Sequence, residues 1–132
     1  MGDFEPPKGT YFDPEWPLLN RPVTVDYLFR LNGKQGQSRL TREELASGPD
    51  WKPGMPLPLD LASAEAAGHA QLRRILPDDS EWRVAEMRLE RLNAQKWYLM
   101  VRFRPAHPNR KPPSDYFCVL LNLSGKLGSV EL

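Results

Sequence analysis

The chain has 132 residues with 18 basic against 17 acidic side chains, a near-balance that singles out no polyanion or anionic membrane as a partner. Its length suits one hydrophobic core. No apolar run reaches the roughly 18 residues that would span a bilayer, and a lone cysteine, Cys118, excludes an intramolecular disulfide and a multi-cysteine metal site.

The opening residues, Met1-Gly2-Asp3-Phe4-Glu5-Pro6-Pro7, lack the basic start and apolar stretch of a signal peptide, and Pro6 stands where a myristoylation signal needs Ser or Thr. The compartment stays open: periplasmic or extracellular if a signal peptide has been removed, cytoplasmic otherwise. Fourteen prolines divide the chain, clustering in 6–22, 49–58 and 105–113 with one more at position 77. Proline fixes φ and removes a backbone donor, so helix interiors and central strands exclude it. Residues 1–22 therefore read as a proline-rich N-terminal segment and 23–132 as a single domain.

Val23, Val25, Tyr27, Phe29 and Leu31 alternate with Thr24, Asp26, Leu28 and Arg30, the pattern of a strand with one buried face. Asn32-Gly33 ends it in a tight turn. Thr41 and Glu44 have capping-box spacing, which predicts a short helix over about 42–47, stopped at Gly48-Pro49. The main helix comes next, with Ser63 as its expected N-cap, Arg73 and Arg74 near its C-terminus and Pro77 beyond. Ala64, Ala67, Gly68, Leu72, Ile75 and Leu76 lie at helical spacing, and the small residues among them allow close approach to a sheet.

Two strands are predicted after the helix, Trp82 to about Leu92 and Trp97 to Arg104. The first changes phase between Val84 and Met87, which indicates either a bulge near Ala85-Glu86 or burial on both sides. Phe117, Val119, Leu121 and Leu123 mark another strand. Ser124-Gly125-Lys126 is a turn, and Leu127–Leu132 returns as the fourth strand of an antiparallel meander. The expected fold is α+β: one main helix packed on a curved antiparallel sheet of about four to five strands, with Leu72, Ile75, Leu99, Val101, Phe103 and Val119 meeting between them. The second sheet face carries Tyr98, Met100, Tyr116, Cys118 and Leu120. Either the segment holding Tyr11, Phe12, Trp16, Leu18 and Leu19 or a second copy of the chain could cover it.

From Leu59 to Leu132 the chain resembles the PepSY-like group of small domains. The likeness is carried by Ser63-Ala-Glu-Ala-Ala67, Trp82-Arg-Val84, Trp97-Tyr-Leu-Met-Val101, Tyr116-Phe-Cys-Val119 and Leu123-Ser-Gly-Lys126, with Asn122 near a position where the group has an acidic residue. A broader cystatin-like half-barrel describes it nearly as well. The resemblance implies an exported, non-catalytic bacterial module, in some members linked to restraint of proteases. The first 58 residues have no counterpart in it.

No catalytic constellation is legible. His69 reads as a half-exposed helix residue, His107 as part of a loop and Cys118 as a small strand residue. Two histidines in different elements make no metal-ligand pair. Asp78-Asp79-Ser80-Glu81 lacks the alternation of a calcium loop. Ser124-Gly125-Lys126 lacks the upstream glycine and following Ser/Thr of a phosphate loop, so no metal and no cofactor is expected. What remains is a basic, aromatic-bearing region: Tyr98, Arg102, Arg104, His107, Arg110, Lys111 and Tyr116. Charge is skewed toward it, with residues 1–70 holding seven basic and ten acidic residues and 71–132 holding eleven and seven. This predicts a non-catalytic interaction or inhibitory module with a protein partner. A single-stranded nucleic-acid binder stacking bases on Tyr98 and Tyr116 is an alternative. A small-ligand pocket between helix and sheet near His69 and Trp97 is another.

Overall fold

The alternating segment forms β1 (Thr24–Leu31), which turns through Gly33 into β2 (Lys34–Thr41). A computed structural model describes residues 24–31, 33–76, 81–92, 95–106 and 115–132. The chain continues with α1 (Arg42–Ser47), α2 (Leu61–Ile75), β3 (Trp82–Arg91), β4 (Trp97–Pro105), β5 (Phe117–Asn122) and β6 (Ser129–Glu131). The α1 capping box forms as the spacing predicts, Thr41 Oγ1 accepting from Glu44 N–H while Glu44 accepts from Thr41 N–H. The N-cap of α2 is Asp60 rather than Ser63, its carboxylate accepting from Ser63 N–H at 3.1 Å and Ser63 Oγ at 2.7 Å. The phase change in β3 is a bulge: the register with β4 shifts between Val84 and Glu86.

The strands form two three-stranded antiparallel sheets, β1-β2-β6 and β3-β4-β5, with one substantial helix. The protein is thus mostly β. This overturns the expected two-layer α+β fold of one helix on a single four-to-five-strand sheet. Two departures account for it. Residues 34–41, which carry no apolar alternation, form a full strand paired with β1 from Leu31↔Lys34 to Thr24↔Thr41. The C-terminal strand does not complete the meander: the chain starts back along β5 through a Leu121–Leu127 bridge, then β6 pairs with β2 through Ser129, Val130 and Glu131. The edge of β5 it would have lined is already in use, because Arg30 and Tyr116 exchange two backbone hydrogen bonds at 3.1 and 3.0 Å.

The packing of α2 on the second sheet agrees with the sequence reading. Leu72, Leu99, Val101, Phe103 and Val119 are buried together, with Ile75 packed against them. Gly68 sets the closeness of that contact: a Cβ there would lie 2.6 Å from Phe103 Cζ and 3.2 Å from Val119 Cγ2. The other sheet face is covered by the chain itself. Leu40 and Leu45 are buried with Tyr98, Met100, Cys118 and Leu120, and Val25 and Tyr27 pack on them. That face is therefore closed to a second copy, which corrects the expected homodimer through it. The alternative cover, residues 11–19, lies outside the described residues.

One buried amide ties the layers together. Asn122 Nδ2 donates to Glu44 C=O at 2.6 Å and Ser47 Oγ at 3.2 Å, while its Oδ1 accepts from Ser124 N–H, Ser124 Oγ and Lys126 N–H. The side chain thus fastens α1 to the turn after β5. An acidic residue here would set a carboxylate oxygen against Glu44 C=O.

Two stability changes are expected from these contacts. Gly68→Ala should destabilise the protein by about 1–3 kcal/mol, because the new methyl meets a fully buried ring. Asn122→Ala should cost at least about 2 kcal/mol by leaving buried backbone groups without partners. Urea denaturation of both variants at neutral pH measures these losses.

Candidate functional site

The predicted basic region divides. Tyr98, Arg102, Arg104 and Tyr116 are described; His107, Arg110 and Lys111 lie outside the described residues. Tyr98 is buried under the β1–β2 hairpin, its hydroxyl 3.3 Å from that of Tyr27 and the two rings edge to face. Burial pushes its hydroxyl above the ordinary tyrosine range, and the bond to Tyr27 adds to the shift. Tyr98 thus belongs to the core and not to a surface.

The other three residues do converge. Arg102 and Arg104 point to the same side of β4, and Tyr116 immediately precedes β5. Both guanidiniums lie over the Tyr116 ring, at 5.6 Å for Arg102 and 5.8 Å for Arg104. Such contacts orient a cation without neutralising it. Glu86 reaches Arg102 Nη1 at 3.2 Å, and Arg88 bridges Glu86 and Glu90 at 3.6 and 3.0 Å. Arg102 is therefore held on two sides, whereas Arg104 is exposed.

Arg83 belongs to the same corner, and sequence spacing alone misses it. Along β3 it has the opposite parity to Glu86, Arg88 and Glu90. The bulge reverses that parity, so Arg83 pairs directly with Arg104 and shares its face. Like charges facing each other across neighbouring strands are unfavourable, and Arg83 and Arg104 are both exposed. The only signal in the sequence was the phase change itself, which needed the β3–β4 register to be interpreted.

The remaining chemistry-bearing residues are absorbed into packing. Cys118 is fully buried beneath Arg102. Burial pushes its thiol up, with the adjacent guanidinium pulling the other way. His69 sets its ring edge-on to Phe103, centroids 4.8 Å apart, with Nε2 3.7 Å from Glu65. At the neighbouring Gly68 the helix lies directly on Phe103 and Val119, both buried. Trp97 stands edge to face with Trp51 at 5.1 Å. Lys96 donates to Gly48 C=O at 2.7 Å and Ala46 C=O at 3.2 Å, closing the end of α1, and pairs with Asp50 at 2.8 Å. An open cleft of about 210 Å³ lies elsewhere, between Leu28, Gln35, Gln37 and the C-terminal Leu132. Among the described residues no three His, Cys, Asp or Glu side chains gather as metal ligands, and no helix is long and apolar enough to cross a membrane.

Burial of Tyr98 has a consequence at alkaline pH. Its folded-state pKa is raised, so the unfolded chain releases this proton first, and the stabilisation is lost as pH rises past the ordinary value of about 10. Stability measured from neutral pH to about 11 should therefore fall less steeply in Tyr98→Phe than in the wild type. Equal slopes would show that this hydroxyl is not the group responsible. Comparison with protein-family models, with characterised proteins and with solved structures finds no match to this chain.

Proposed function

We propose that the protein is a non-catalytic interaction module that holds an acidic segment of a partner protein at the corner formed by Arg83, Arg102, Arg104 and Tyr116. The observation that carries this reading is the facing pair Arg83 and Arg104 beside an Arg102 already held by Glu86 and Tyr116. Two exposed guanidiniums on neighbouring strands repel, and a carboxylate placed between them relieves the repulsion while accepting charge-assisted hydrogen bonds. Because Tyr116 and Glu86 orient Arg102 beforehand, little side-chain freedom is lost on binding. The sequence adds His107, Arg110 and Lys111 to the segment that follows β4.

The resemblance of residues 59–132 to PepSY-like domains supports the same kind of role, restraint of another protein in an exported setting, and is part of the proposal. A nucleic-acid ligand fits less well. It needs free aromatic faces for base stacking, and Tyr98 is buried while Tyr116 lies beneath two guanidiniums.

Fluorescence anisotropy with a labelled oligoglutamate peptide and a labelled oligothymidylate separates the readings at about 50 mM salt, where contacts to anions are strong. The peptide should bind, weaken as salt rises, and bind at least tenfold more weakly to the Arg83→Ala/Arg104→Ala variant, a change of about 1.4 kcal/mol. Absence of peptide binding, or binding unchanged in that variant, would overturn the proposal. Tighter binding of the oligonucleotide would reassign the corner to nucleic acid.

A further inference from the structure

The row of paired residues that crosses the arginine corner does not stop at the second sheet. Arg83 pairs with Arg104. The β4–β5 register, carried on from Phe103↔Phe117, sets Arg104 opposite Tyr116, in keeping with the 5.8 Å between that guanidinium and the Tyr116 ring. Tyr116 in turn exchanges two backbone hydrogen bonds with Arg30 of β1. Two mutual bonds define the bonded kind of antiparallel pair, whose side chains leave the backbone on the same side. The adjoining residues fix which side that is. Phe29 and Phe117 follow in the same register, with ring centroids 4.8 Å apart and both buried in the main core. Side chains alternate along a strand, so Arg30 and Tyr116 face away from that core together. Arg30 is half-buried, and among the described residues no carboxylate pairs with it. Beyond it the row reaches Gln35 of β2, which carries no charge.

We infer, resting on the acidic-partner reading, that Arg30 belongs to the same binding surface and that the partner's acidic segment is extended and runs across the strands, from Arg83 at one end to Arg30 at the other. The surface then joins the two sheets, three guanidiniums in line with the Tyr116 ring between the second and the third. Arg102, held by Glu86 and Tyr116, flanks the line. Neither Arg30 nor Arg83 is marked out by the sequence near the other arginines. Each arrives through strand pairing.

The spacing sets what the segment must be. Neighbouring strands lie about 4.8 Å apart, so three steps separate Arg83 from Arg30 by roughly 14 Å. An extended chain advances about 3.3 Å per residue and needs about five residues to touch both ends. Its alternate side chains share one side, so acidic residues at its first, third and fifth positions face the row together. A run of like charges repels itself and is already extended before binding, which lowers the ordering cost. Consecutive acidic residues of the same number reach only one end of the row.

Two labelled peptides of equal charge test this by fluorescence anisotropy at about 50 mM salt: Glu-Ser-Glu-Ser-Glu, which spans the row, and Glu-Glu-Glu-Ser-Ser, which does not. The wild type should bind the alternating peptide about threefold or more tighter. Arg30→Ala should remove that preference. Lys34→Ala, which deletes the same charge at an exposed residue paired with Leu31 rather than with Arg30, should retain it. Thermal unfolding checks that each variant folds, and Arg30→Gln replaces Arg30→Ala if the latter does not. Equal binding of the two peptides by the wild type, or a preference that survives loss of Arg30, would overturn the inference. The acidic-partner reading would still stand if Arg83→Ala/Arg104→Ala weakened both peptides. Failure of the wild type to bind either peptide would instead count against that reading itself, and the inference would fall with it.

Discussion

Every residue of β5 is buried, and this constraint organises the rest of the protein. A strand hydrophobic on both faces needs a cover on each. Phe117, Val119 and Leu121 point to α2, while Cys118 and Leu120 point to the β1–β2 hairpin and α1. Its edge away from β4 needs partners as well, since a buried carbonyl without one is costly. Four of its neighbours' groups meet that demand from separate parts of the chain. Arg30 N–H bonds Tyr116 C=O and Ser38 Oγ bonds Cys118 C=O. Gly128 N–H bonds Leu120 C=O and Gly125 N–H bonds Asn122 C=O. The two sheets are joined along this one edge.

That junction explains why polar residues sit in the interior. Ser38 is fully buried, but its hydroxyl is used by β5. Asn122 is fully buried and its amide is used by α1 and the following turn. Both are small groups with satisfied hydrogen bonds, which is the condition under which a core tolerates them. They also define which strand lies beside which, because an apolar residue at either place would leave β5 or α1 without its partner.

Closing both faces of the second sheet leaves little of it for binding. Tyr98, Met100, Cys118 and Leu120 are covered, and the same face emerges only where the hairpin no longer reaches, at Arg102, Arg104 and Tyr116. The bulge in β3 then brings Arg83 to that corner and leaves a regular run beyond it. One extra residue in a strand thus shapes the basic corner.

Much of the local structure was legible in the sequence, since it depends on neighbours three or four residues apart. The alternation of β1, the Thr41–Glu44 capping box, the end of the main helix before Pro77, the phase change in β3 and the six side chains meeting between α2 and the sheet are of this kind. Strand β2 was not legible, because its inward positions are Gly36, Ser38 and Leu40. Gly36 is small since the Phe29 ring occupies its place: a Cβ there would lie 2.6 Å from that ring. Ser38 is polar because β5 needs its hydroxyl. Neither reason exists until strands distant in sequence have met. The partition into two sheets, the burial of Tyr98 and the arrival of Arg83 beside Arg104 were decided by the tertiary structure alone. They result from competition among distant segments for the faces and edge of β5, and periodicity within a segment carries no information about which segment wins.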